Sequence, residues 1–242
     1  MVGLWSSVTI SLKCTIVSNV VFWPLALLGL YIDYLAASVS VIRPYKVQPN
    51  KHLSRKDRAD LILLAAFNML VVAPIFCCPL FEAMWNYTQG PDRQDETDEW
   101  RWVQELLIKV PSHALIAELW FYAVHILLHR SAFLYGTIHK VHHRFTSPTA
   151  MACVYAHPLE FAIGNILPVF LGPALTNAHP LTCYLFWFPS AMIGTLKGHC
   201  GYRIPWPGAD PHDDHHLYFR HNYGGMALAD KLFGTYQKSK SV

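Results

Sequence analysis

Apolar residues in this chain gather into long runs, and the charged residues are confined to the stretches between them. Nineteen uncharged residues run from Cys14 to Ile32 and twenty-one from Leu61 to Phe81, and nineteen more run from Val110 to Leu128, interrupted only by Glu118. Each run is close to the roughly 20 residues that a helix needs to cross the hydrocarbon core of a bilayer. A fourth block of thirty-six residues, Phe161 to Leu196, carries no formal charge and is too long for one crossing. It predicts a helical hairpin with turn residues at Gly172-Pro173 and Asn177-Ala178-His179-Pro180 and arms that are short for full crossings. Whether the hairpin spans or re-enters, both of its ends emerge on one side. Four such runs argue against the buried helices of a soluble protein. The expected fold class is all-α, an integral membrane helical bundle with about four transmembrane helices or hairpin arms.

Composition agrees with this picture: of 242 residues, 53% are apolar and only 14% charged. The first run reads as an anchor rather than a signal peptide, since no small-residue cleavage pattern follows it. The net charge of +3 says little, but its distribution orients the chain. Six basic residues and one acid, Asp57, lie between Arg43 and Arg58, whereas six acids and two basic residues lie between Glu82 and Arg101. By the excess of Lys and Arg on the cytoplasmic side, the first loop is cytosolic, the acidic loop lumenal and the N-terminus lumenal. Asn86-Tyr87-Thr88 is a glycosylation acceptor pattern in that acidic loop, and Lys238-Ser239-Lys240 near the end resembles the dibasic retrieval signal of endoplasmic-reticulum membrane proteins. The expected location is therefore a multi-pass position in the endoplasmic reticulum. Two regions are expected, an anchor over 1–110 and a catalytic region over 111–242. The six cysteines form no C-x-x-C and read as packing residues, and no glycine-rich nucleotide fingerprint or nucleic-acid signal is present.

Candidate chemistry resides in the histidines, of which twelve of fourteen lie between His125 and His221. His125 and His129 are spaced i, i+4, which places both imidazoles on one helical face at the end of the third span. His139, His142 and His143 follow as HKVHH, and the same shape recurs as HDDHH at His212, His215 and His216. A helix at the last group is predicted by Asp210 as N-cap, Pro211 at the first helical position, and Asp213 and Asp214 at the positive helix end. Because the hairpin returns the chain to the face it left, all eight histidines can meet on the cytosolic side. Neutral imidazole at such spacing is a transition-metal ligand, and eight exceed what one zinc site uses, so two metals are expected. His157 and His199 are candidate further ligands. His52, His113, His179 and His221 read as solvated or hydrogen-bonded side chains. Glu118, two turns before His125, is expected to make a polar contact to the site or its access route. Glu160, Asp213 and Asp214 are further candidates for orienting ligands by hydrogen bonds to their second ring nitrogens.

HILLH, HKVHH and HDDHH in this order resemble the fatty acid hydroxylase and sterol desaturase superfamily of membrane di-iron enzymes. The likeness covers roughly Glu118 to Tyr236. AHPLEFAIGN from Ala156 and GHCGYRIPW from Gly198 are most similar to the C4-methyl sterol oxidase branch, and HHLYFRHNYG from His215 and DKLFGTY from Asp230 are similar to stretches across several branches. The resemblance implies O2-dependent hydroxylation or desaturation of a lipid C–H bond, of a sterol above all. It also implies two iron ions held by the histidines, and electrons from NAD(P)H through a separate carrier, typically cytochrome b5 and its reductase. Fatty acyl, sphingoid and specialised isoprenoid substrates stay open within that class. A histidine-rich metal transporter or metal sensor is the competing reading, although transport calls for ligands near mid-membrane.

Overall fold

The computed structural model describes residues 7–89, 104–203 and 211–238. Most of the acidic loop, the Asp210 cap and the C-terminal end of the dibasic signal lie outside them. Among the described residues the protein is helical and no strand forms, apart from one isolated antiparallel bridge between Lys46 and Tyr202.

Each of the first three apolar runs has become a helix longer than the run itself, and the fourth has divided into two helical arms. We label these α1 (Ile10–Ala36), α2 (Arg55–Thr88), α3 (Glu105–Arg130) and α5 (Pro158–Leu175), and all four are long and apolar enough to cross a membrane. The short helix α4 (Ala132–Thr137) follows α3, and α6 (residues 180–198) is the second arm of the hairpin. Local chemistry sets the starts: the Thr9 side chain accepts from Leu12 N–H to cap α1, and Ser54 and Asp57 form a reciprocal capping box that opens α2. The backbone ladder widens to π-helical spacing over Asn68–Cys77, Phe161–Ile166 and Thr182–Trp187. Each widening contains a proline or ends two residues before one, Pro74, Pro168 or Pro189, whose missing N–H breaks the regular i→i−4 series.

The hairpin forms as predicted and turns at the second of the two predicted breaker groups, not the first. Gly172 and Pro173 stay inside α5, and the chain reverses at Thr176 to His179, where Asn177 takes positive φ. Gly172 serves close packing instead of turning, since a Cβ there would stand 2.6 Å from the His113 Cα of α3. Deep in that interface His113 Nε2 pairs with Thr176 Oγ1 at 2.7 Å.

Side chains divide the bundle into an interior and an unusually apolar exterior. One core cluster joins Phe22, Leu61, Met69, Met151 and Phe161 near the histidines; a second joins Ile10, Phe81, Trp85, Phe170 and Trp187 toward the other end. Outward-facing positions on the long helices are also apolar: Leu63 is 69% exposed and Phe76 64%. A continuous apolar outer surface on helices of this length is what a bilayer would cover.

Candidate metal centre

Three segments carry the histidine boxes to one end of the bundle. His125 and His129 project from the last turns of α3. His139, His142 and His143 lie on a single 3-10 segment, His139–Arg144, which is tighter than the α-helix their spacing allows. His212, His215 and His216 lie on α7 (Pro211–Tyr218). One helical position turns a side chain by about 100°, so on α7 His212 and His216 share a face while His215 points elsewhere.

The result is two groups. His125, His129, His139, His143 and His215 bring five ring nitrogens within 4.8 Å of one another, and His142, His199, His212 and His216 bring four. All eight box histidines are used, and His199, the C-cap of α6, makes the ninth. His157 is outside both groups; its Nδ1 accepts from Leu159 N–H and caps the start of α5. His179 does the same for Leu181 at the far turn.

Second-ring-nitrogen partners fix the orientation of most of these imidazoles. His125 Nδ1 donates to the Tyr223 carbonyl at 2.6 Å, His142 to that of Tyr155 at 3.1 Å, His199 to that of Thr195 at 3.0 Å, and His215 to that of His221 at 2.7 Å. His139 Nδ1 donates to Glu160 Oε1 at 2.6 Å. A carbonyl can only accept, so the proton sits on Nδ1 and the Nε2 lone pair faces inward. There His129 Nε2 stands 2.9 Å from His139 Nε2 and 3.0 Å from those of His143 and His215, while His142 and His199 Nε2 are 3.4 Å apart. One proton on His129 could satisfy one of its three contacts, not all three. His125 Nε2 and both ring nitrogens of His216 are buried without a hydrogen-bond partner. Converging bare nitrogens repel unless a cation lies among them. The spacings suit cis ligands of a first-row ion, about 3.0–3.4 Å apart for metal–nitrogen bonds of about 2.1 Å. The donor sets therefore fit two metal ions.

Burial favours the neutral, metal-ready form. Desolvation, reinforced by neighbouring imidazoles, pushes His139, His143, His212, His215 and His216 well below the ordinary histidine value. Desolvation takes His142 down from 6.5 to about 4, and desolvation and then the neighbouring His142 take His199 to about 3. Above pH 6.5 these groups are neutral in folded and unfolded chains alike. Below it the unfolded chain takes up protons that the folded chain refuses. Stability and metal retention are thus expected to fall between pH 6.5 and about 4, where His142 protonates. Metal retained after stepwise acid dialysis measures this, and a flat profile from pH 7 to 4 would contradict it.

Polar residues outside the boxes build the frame. Asn68, buried in α2, donates to the carbonyls of Val154 and Ala156 at 2.9 Å each, which presents the intervening Tyr155 carbonyl to His142. Asp230, at the start of α8 (Leu228–Phe233), accepts from Tyr223 and Gly224 N–H at 2.7 Å each, and Tyr223 in turn holds His125. Asp213 accepts from Gly201 N–H at 3.1 Å, joining the third box to the segment after His199, and Asp214 is buried beside it. Arg144 ends the second box in ion pairs with Asp57 and Asp60 of α2. Only a polar side chain inside an apolar run, as Asn68 is in LILLAAFNML, could have flagged the first of these residues from sequence.

A cavity of about 590 Å³ opens from the bundle interior onto the histidines. Its walls are largely apolar, with Val124, Phe161, Phe188 and Met192 among them, and His125, His139, His142, His199 and His212 lie along its lining. Its size falls within the range of sites that enclose a drug-sized ligand.

The fatty acid hydroxylase family model matches residues 110–235. Human fatty acid hydroxylase domain-containing protein 2 is 34% identical over 220 residues, 88% of this chain and 63% of its own length. Fatty acid hydroxylase ahd1 of Mycosarcoma maydis is 34% identical over 229 residues, 90% and 56% of the two chains. Methylsterol monooxygenase 2-2 of Arabidopsis thaliana is 30% identical over 216 residues, 82% and 77%. The chain thus spans less than two thirds of the length of the first two. No solved structure matches.

Proposed function

Because this chain belongs to the fatty acid hydroxylase family, we propose that it is a membrane-bound non-haem di-iron oxygenase that oxidises a C–H bond of a sterol or sterol-like lipid. The observation that carries this reading is the meeting of nine converging histidines with an apolar cavity at one end of a membrane-type bundle. In it His125, His129, His139, His143 and His215 hold one iron, and His142, His199, His212 and His216 the other. Iron bound there supplies dioxygen activation, which redox-inert zinc cannot. The chain's own contribution is orientation and exclusion. Glu160 and the backbone carbonyls set the imidazole rings, and the apolar walls deliver an alkyl group to the histidines while keeping water out. O2 is the co-substrate, and electrons come from NAD(P)H through a separate carrier such as cytochrome b5 with its reductase. The basic loop before α2 orients the histidine end to the cytosol, and the endoplasmic reticulum is the proposed membrane.

Sterol is favoured because relatives include proteins named methylsterol monooxygenase, and a cholesterol 25-hydroxylase-like protein of Danio rerio at 30% identity. The transporter alternative is disfavoured because the nitrogens sit at one end of the bundle. Purified protein should contain about two irons per chain, and a strain lacking it should accumulate the unoxidised lipid in a mass-spectrometric profile. Zinc in place of iron, with no oxygen consumed on adding lipid and reductant, would reject the oxygenase.

A further inference from the structure

The two histidine groups differ in what lies on their far sides. Every histidine of the second group is buried, and three of its four line the cavity. The first group has a solvent side: His129 is its one half-buried member, and neither His129, His143 nor His215 lines the cavity. Half-buried aromatic rings cover that side. Tyr223 stands 5.2 Å from His129 and 5.1 Å from His215, Tyr135 stands 5.5 Å from His129, and Phe219 stands 4.7 Å from His143 (centroid distances). Phe219 keeps its place with φ of +65°, a left-handed backbone that an aromatic residue rarely adopts, so the surrounding structure must hold it there.

Basic residues adjoin the same group along the chain. Arg130 follows His129, Lys140 follows His139, and Arg220 precedes His221, whose carbonyl holds His215. All three are exposed and, among the described residues, none forms an ion pair; Arg144 by contrast is already neutralised by Asp57 and Asp60. Tyr218, 42% exposed beside His221, adds an aromatic anchor of the kind that interfaces favour.

We infer that this aromatic and basic face is the docking surface of an acidic one-electron carrier protein, and that electrons enter at the first histidine group while the lipid enters at the second. The inference rests on the oxygenase reading, in which R–H + O2 + 2 electrons + 2 protons gives R–OH + H2O and the carrier supplies the electrons one at a time. Charge complementarity selects the partner: three unpaired cations steer an acidic protein and speed its encounter, which suits the small, transient interfaces of electron transfer. The half-buried rings of Tyr135 and Tyr223 stand directly against His129.

The test measures docking on the metal-free chain in phosphatidylcholine nanodiscs, with the soluble haem domain of cytochrome b5 as probe. Combining Arg130→Glu, Lys140→Glu and Arg220→Glu should weaken the Kd at least tenfold at low ionic strength and flatten its salt dependence, while Arg130→Lys with Arg220→Lys should preserve both. On iron-loaded protein the reversed charges should slow reduction by the haem domain and leave single-turnover oxidation after dithionite reduction unchanged. An unaltered Kd in the charge-reversed protein overturns the inference. So does weakened binding confined to phosphatidylserine vesicles, which would assign the face to anionic lipid. Absence of oxidation after dithionite reduction of the unaltered protein would instead reject the oxygenase reading, so the two failures are separable.

Discussion

His215→Ala should release iron and abolish lipid oxidation while the protein still inserts into membranes. His215 is fully buried, its Nε2 lies 3.0 Å from that of His129 and 3.2 Å from that of His143, and its ring is held by the His221 carbonyl. Alanine removes one of five donors and opens a gap in the wall between the groups. Outer partners of metal ligands alone are worth about 10–100-fold in affinity or activity, so loss of a ligand should exceed about 100-fold in turnover. Iron per chain by mass spectrometry, product formation and resistance to alkaline extraction read the three consequences. His157→Ala supplies the contrast: it removes a helix cap outside both groups, a change of about 1 kcal/mol or less, and should leave iron content unchanged. A His215→Ala protein with full iron and turnover would sink the ligand assignment, and iron loss in His157→Ala would restore His157 as a ligand.

The contrast between these two histidines shows where sequence reasoning reaches. Spacing alone brought HILLH, HKVHH and HDDHH to one face, because i, i+3 and i, i+4 periodicity is local and the uncharged hairpin dictates a return to the same side. Spacing could not divide the boxes, since that division depends on how the segment bearing His139 and His142 is wound and how α7 is rotated against it. His157 and His199 looked equivalent in sequence, each flanking a box. The structure separates them because His199 ends α6 inside the cluster, whereas His157 turns back to cap α5. Of the two breaker groups in the hairpin, Gly172-Pro173 does not turn the chain, for a similar reason. A glycine reads as a breaker in isolation, but here it is the point where α3 and α5 come too close for a Cβ. Asn68 offered only its polarity within an apolar run and Asp230 no signal at all, because their partners are backbone groups distant in sequence or in loops without a pattern.

Glu118 tests how far the frame beyond the ligands controls the metals. It was expected to touch the site or its access route, and it does border the cavity, but its hydrogen bonds go to the backbone that follows the third box. Oε2 accepts from Gly225 and Met226 N–H at 2.9 and 2.8 Å, and Oε1 from Ala229 N–H at 3.1 Å. Gly224 allows this approach, for a Cβ there would stand 2.5 Å from Glu118 Oε1. The loop so fastened carries Tyr223, whose carbonyl sets His125, so one carboxylate on α3 locks a ligand of the same helix through a segment more than a hundred residues away. Hydrogen bonds to a charged group contribute about 1.5–3 kcal/mol each, and Glu118→Ala forfeits three at a buried position. We expect a loss of at least about 3 kcal/mol, seen as a lower thermal midpoint, together with weaker iron retention. Glu118→Gln separates this role from a direct part in the chemistry. Its single carbonyl oxygen can keep the Gly225 and Met226 bonds while its amide meets the Ala229 N–H as donor against donor, so stability and iron retention should be intermediate and turnover per bound iron unchanged. Full stability and iron retention in Glu118→Ala would refute the clamp. Unchanged iron with abolished turnover in Glu118→Gln would make the carboxylate a participant in the reaction rather than the fastening of its frame.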